Sequence, residues 1–150
     1  MVPAVSGRGS PVAVTGRSTI ISTAVRYFSK LGNTKAIAEA IAEGAHVPVV
    51  SIQDEPELKE RFDILFLGGA PYANIMDPEL RAYAERLSPE QVGRVVLFTT
   101  SNWSRRTVYA LRKILMVHGI AVESKHFYAH MLHIKGRLEA AREFGKKFSG

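Results

Sequence analysis

A chain of 150 residues, 46% hydrophobic and 23% charged, suits one domain with its own core, and its lack of cysteine excludes disulfides, thiolate catalysis and cysteine-ligated metal. Any redox chemistry must then come from a bound organic cofactor. The net charge of +6 would suit nucleic acid. However, Arg112, Lys113, Arg142, Lys146 and Lys147 fall on the polar faces of helical patterns, so no nucleic-acid partner is expected. No apolar run is long enough to span a bilayer, so no membrane is expected either.

Pro3, Gly7, Gly9, Pro11 and Gly16 mark residues 1–19 as a flexible tail, and the folded domain is expected over 20–150. No continuous apolar stretch follows a charged start, which argues against a secretory signal and for the cytoplasm. An apolar, β-branched and aromatic run over 23–28 predicts the first strand. It breaks at Ser29-Lys30-Leu31-Gly32-Asn33-Thr34, after which Ala36, Ile37, Ala40 and Ile41 set out one face of a helix. Strand, tight turn and helix start together aim unpaired N–H groups and the positive end of the helix dipole at one spot. Gly32 allows close backbone approach there, and Ser29 and Thr34 add hydroxyls, so the turn is a candidate phosphate site. It is neither a P-loop nor a GxGxxG fingerprint.

Residues 47–52 predict a second strand, and 54–61 a brief helix or turn. Residues 64–67 form a continuous apolar run, the pattern of a strand buried on both faces, ending at Gly68-Gly69. Asp77-Pro78-Glu79 is a helix start with a capping acid and proline at the first position; Leu80, Tyr83, Ala84 and Leu87 mark its buried face. Residues 95–100 predict a fourth strand. A helix over 107–117, capped by Ser104, stops at His118-Gly119. Residues 120–128 fit a fifth strand, and Leu138, Ala141, Phe144 and Phe148 a last amphipathic helix over 137–148.

Strands alternating with helices imply a parallel sheet covered on both faces, with ligands beyond the carboxyl ends of the strands. Three loops meet there: residues 29–34, 68–77 and 100–105. Tyr72 in the second and Trp103, the only tryptophan, in the third suit stacking on a planar ring. His126, His130 and His133 form a histidine string, but strand-to-loop spacing does not bring them together, so no metal is expected. No nucleophile has a base beside it, which excludes hydrolase chemistry, and no catalytic residue is assigned.

The turn S-K-L-G-N-T resembles the phosphate loop (S/T)-x-(S/T)-G-x-T of flavodoxins, with Leu31 replacing a hydroxyl. Residues 63–87, DILFLGGAPYANIMDPELRAYAERL, are similar to that family's third strand, flavin loop and following helix. Residues 92–122 are similar to its fourth strand, second flavin loop and next helix, and LEAAREFGKKF to its closing helix. The likeness covers residues 23–148. It implies an α/β, flavodoxin-like three-layer sandwich with a five-stranded parallel sheet in the order 2-1-3-4-5; flavodoxins are themselves the familiar example of a ligand at such a switch in strand order. It also implies FMN as cofactor. Ser29, Lys30, Leu31 (through its N–H), Gly32, Asn33 and Thr34 would hold the phosphate. Ala70, Pro71, Tyr72, Ala73, Thr100, Ser101, Asn102 and Trp103 would meet the flavin. The function implied is electron transfer to a redox partner protein, by a monomer or weak dimer. Arg105 and Arg106 beside the third loop depart from the acidic character of the family and suggest an acidic partner. The alternatives are an NAD(P)H-dependent FMN or quinone reductase on the same site, and a flavin-free module for another phosphorylated ligand or a partner protein.

Overall fold

The computed structural model describes residues 21–72 and 75–149, with only the backbone at Tyr72. The expected N-terminal tail lies outside the described residues. Five β-rich segments build the main sheet: β1 (Thr23–Tyr27), β2 (Val49–Ser51), β3 (Phe62–Gly69), β4 (Val92–Ser101) and β5 (Phe127–His130). They pair in parallel in the order β2-β1-β3-β4-β5, which is the expected 2-1-3-4-5. Helices α1 (Asn33–Ala45), α2 (Pro78–Arg86), α3 (Arg106–Val117) and α4 (Leu138–Phe148) make the crossovers and the closing element.

Side-chain alternation along the strands divides the core in two. Leu65, Leu67, Val95 and Leu97 pack with Leu80 and Tyr83 of α2 and Leu111 and Leu115 of α3. Val25, Phe66, Val96 and Phe98 pack on the other face with Ile37 and Ile41 of α1 and Ala141 and Phe144 of α4. The continuous run at the centre of β3 is therefore buried on both faces, each such side chain contributing about 1.5–3 kcal/mol by leaving water. Helices α1 and α4 meet backbone to backbone: a Cβ at Gly44 would overlap the Arg142 carbonyl, and one at Gly145 the Ile41 carbonyl. Among the described residues no helix is long and apolar enough to cross a membrane.

Three expectations need correction. The fifth strand is broken and shifted. Val122 makes one isolated parallel bridge with Val95, and the strand resumes only at Phe127. Between them the chain leaves the sheet, with the Glu123 carbonyl accepting from Arg112 at 2.9 Å. Next, the expected loop over 68–77 contains strand: Gly68 and Gly69 belong to β3, and Pro71–Tyr72 pairs antiparallel with Ile75–Met76. Finally, α3 begins at Arg106, with Arg105 in the capping position and no side-chain cap there. The expected Ser104 hydroxyl does accept from the Arg106 N–H at 3.2 Å, from the residue before the capping position.

Candidate functional site

The turn after β1 is shaped by its own side chains. The Gly32 N–H donates to Ser29 Oγ at 3.0 Å, and Gly32 itself takes a left-handed φ of 93°, open to glycine without strain. Helix α1 starts directly after it with no side-chain cap and no acid in its first turn. Its first N–H groups and the dipole's positive end are thus left for an anion. Below them Thr34, 1% exposed, and Thr100 share a hydrogen bond at 2.7 Å between their hydroxyls. One O–H serves that bond, so the other proton of the pair is available to a ligand.

Ser29, Leu31, Asn33, Thr34, Ala70, Pro71 and Thr100 of the predicted set line one concavity of about 50 Å³, joined by Met131. That volume takes a phosphate-sized group; a fused ring system would have to lie outside it. The surroundings suit that: Leu31, Ile75, Trp103 and Leu132 are exposed apolar side chains, all on segments leaving the carboxyl ends of strands. Lys30 does not line the concavity. Its ammonium pairs with Asp77 Oδ2 at 3.3 Å, tying the turn after β1 to the residue that follows Met76. Asp77, 4% exposed, also accepts at Oδ1 from the Glu79 N–H at 2.8 Å and so caps α2. The side chain of Tyr72, and Ala73, lie outside the described residues.

The third predicted segment is a locked turn. Ser101 Oγ donates to the Ser104 carbonyl, and the Trp103 N–H donates to the Tyr128 hydroxyl at 2.6 Å. The Arg105 guanidinium lies 4.1 Å from the centroid of the Tyr128 ring, whereas Arg106 is exposed. Trp103 is 72% exposed and packs edge-to-face with His130, the ring centroids 4.6 Å apart. Asn102 is exposed, and neither it nor Ser101 or Trp103 lines the concavity, to which this segment gives Thr100 alone. Nearby His126 is held below the ordinary histidine range by partial burial, helped by the positive charges of Arg105 and Arg112. His130 and His133 lie 5.2 Å apart between ring centroids. Among the described residues no three His, Asp or Glu side chains gather to hold a metal.

Sequence reasoning missed the fourth segment at this edge, the one after β5. Met131 lines the concavity, and Tyr128 and His130 hold the Trp103 turn. The available signal was the β-favouring Phe127-Tyr128 pair, which the structure continues through Ala129 and His130 as the edge strand of the sheet; ending the strand at 128 put Met131 too far on. The Lys30–Asp77 pair left no trace in either local pattern.

The architecture has close counterparts among solved structures. A WrbA-like flavodoxin from Agrobacterium tumefaciens superposes with a TM-score of 0.67 at 22% identity, over 85% of this chain and 95% of its own. The chain has the flavodoxin-like fold. An archaeal flavodoxin matches with a TM-score of 0.65 at 20% identity, over 85% of this chain and 95% of its own. A flavodoxin mutant from Fusobacterium nucleatum, solved bound to flavin mononucleotide, matches with a TM-score of 0.65 at 14% identity, over 85% of this chain and 94% of its own. No protein-family model matches the sequence, and no curated protein matches it. In this flavodoxin-like fold the concavity sits beside β1 and β3, where the strand order reverses.

Proposed function

We propose that this protein binds FMN and serves as an electron carrier to an acidic redox partner. The observation that carries the reading is the uncapped, glycine-started α1 beside a phosphate-sized concavity, with exposed apolar side chains on the segments that leave the same ends of the strands. The residues present fit both parts of such a ligand. For the phosphate there are the N–H groups of the first turn, the Ser29 hydroxyl and the spare proton of the Thr34–Thr100 pair. For the planar ring there are Trp103, Leu31 and the strand pair after β3. A flavin, when bound, supplies the electron chemistry; the chain binds it, orients it and sets the charge around it.

A reductase would need a cation to hold the phosphate of a pyridine nucleotide, and the exposed Arg106 is the candidate for it, so turnover is what separates the two readings. A partner bearing acids would meet the exposed Arg106 and the half-buried Arg105, with the exposed Trp103 on the same turn. The test is direct. Purified protein, or protein mixed with FMN, should quench flavin fluorescence on binding, and riboflavin should bind at least about ten-fold more weakly because it lacks the charged group. Absence of binding at tens of micromolar FMN overturns the cofactor. Steady oxidation of NADPH with a quinone as acceptor overturns the carrier in favour of the reductase.

A further inference from the structure

Trp103 is built into the fold in an unusual way. Its φ of 72° lies in the left-handed region, which L side chains avoid because Cβ crowds the following carbonyl. Among the described residues only His46 shares that feature without being glycine, and His46 closes the end of α1. Trp103 closes no helix. Its ring is 72% exposed, so burial does not offset the strain. Glycine would adopt this backbone freely. A strained, solvent-facing tryptophan three residues beyond Thr100, which lines the concavity, therefore calls for a group that holds it and a ligand that uses it.

The holding group is Tyr128. Its hydroxyl accepts from the Trp103 N–H at 2.6 Å and donates to the Ser101 carbonyl at 3.1 Å, so one phenol closes the turn from both sides. The phenol is itself fixed. Tyr128 stands opposite Thr99 in the β4–β5 ladder, its ring carries the Arg105 guanidinium at 4.1 Å, and its carbonyl accepts from Arg137 at 2.9 Å. His130, two residues on, sets its ring edge to the indole at a 69° interplanar angle and limits its swing on that side. We infer that Tyr128 is a positioning residue: its hydroxyl holds Trp103 in the left-handed conformation that presents the indole to the planar ring of a bound ligand. This rests on the flavin reading above for the ligand, but the clamp can be tested without it.

The experiment uses Tyr128→Phe, Trp103→Gly and the double variant of the full chain. Trp103 is the only tryptophan, so its fluorescence anisotropy reports the turn alone. Tyr128→Phe should keep the wild-type circular dichroism, lower the Trp103 anisotropy, and weaken FMN and riboflavin alike by roughly five- to ten-fold, the worth of one hydrogen bond. Trp103→Gly should melt at or above the wild-type temperature while binding both flavins more weakly. In the Trp103→Gly background, Tyr128→Phe should change affinity no further, because its effect passes through the indole. An equal loss in both backgrounds, or unchanged anisotropy in Tyr128→Phe, overturns the inference. Wild-type protein that binds neither flavin overturns the proposed function, and the clamp is then decided by anisotropy: lowered in Tyr128→Phe it stands, unchanged it falls. If Tyr128→Phe does not fold, hydrogen exchange of the Trp103 amide in the unaltered protein decides. Slow exchange at this exposed turn supports the clamp, and exchange at the rate of a free amide overturns it.

Discussion

Helices α1 and α2 leave the same edge of the sheet, after adjacent strands, yet their starts are built in opposite ways. Helix α2 has Asp77 as its cap, Pro78 at its first position and Glu79 in its first turn. Its positive end is neutralised from within the chain. Helix α1 has a left-handed glycine, no cap and no acid. A start finished by its own residues serves the fold; an unfinished one leaves donors for something from outside. Lys30 joins the two, reaching from the open start to the Asp77 carboxylate of the closed one at 3.3 Å.

The comparison depends on α1 holding its place, and its far end decides that. Gly44 and Gly145 let α1 and α4 touch through their backbones. Gly145→Ala forces a methyl onto the Ile41 carbonyl, and the helices must separate. This is the largest effect expected: about 3 kcal/mol of stability, measured by urea unfolding, with FMN affinity falling alongside as the α1 start moves off the concavity. A variant as stable as wild type would show that the two helices stand further apart in solution.

Exchanging the character of the two starts tests the contrast itself. Asp77→Ala should cost about 1–2 kcal/mol, the usual worth of a cap. Asn33→Asp places an acid at the first residue of α1. It should raise stability by about 0.3–1 kcal/mol through the helix dipole, while weakening FMN by about ten-fold or more and leaving riboflavin little changed. Opposite movement of stability and phosphate affinity in one substitution is the expected signature. If Asn33→Asp weakens both flavins equally, the α1 start is not where the phosphate lies.

How much of this could be read from the sequence follows from the range of each interaction. The two helix starts were legible because their signals are local: Asp77-Pro78-Glu79 marks a cap and Gly32 a close backbone approach within a few residues, while the left-handed φ of Gly32 shows only in the structure. The sheet order was legible through the buried run of β3 and the resemblance carried by the turn after β1. The break in the fifth strand was not. There the Glu123 N–H still donates to the Val95 carbonyl while its own carbonyl accepts from Arg112 of α3, a contact across elements. The same holds for Tyr128, whose clamp on Trp103 spans 25 residues, and for Lys30 and Asp77. Expected contacts of Thr34 were half legible: its hydroxyl is at the site, but shared with Thr100.

A third helix start sharpens the contrast at lower cost. Helix α3 also begins without an acid, and its Arg105, with Arg112, adds to partial burial in depressing His126. With a folded pKa below the ordinary 6.5, His126 binds its proton more readily in the unfolded chain. Its contribution to stability is therefore fully present above pH 6.5 and is lost as pH falls through the lower folded value. His126→Gln should flatten that decline, seen by comparing urea midpoints of variant and wild type across the acid range. An identical pH profile in the variant would show that His126 is solvated and that the field near α3 does not reach it.

The smallest effect expected concerns that field. Arg105 and Arg106 carry two of the positive charges at the edge where the concavity opens, one over the Tyr128 ring and one exposed. Exposed charges act through water, so each is worth about 1 kcal/mol or less at close range and is further reduced by salt. Replacing both with Gln should raise the His126 pKa part of the way, not to its ordinary value, because burial is the larger cause. It should also lower the reduction potential of bound FMN slightly, since positive charge nearby favours the added electrons. Finally, it should flatten the salt dependence of association with an acidic redox protein, because fewer charges steer the encounter. The three readouts share one physical cause and should move together. If the His126 pKa moves while the potential and the salt dependence do not, the positive field of α3 serves only its own surface, and the open start of α1 would be the sole electrostatic feature directed at the ligand.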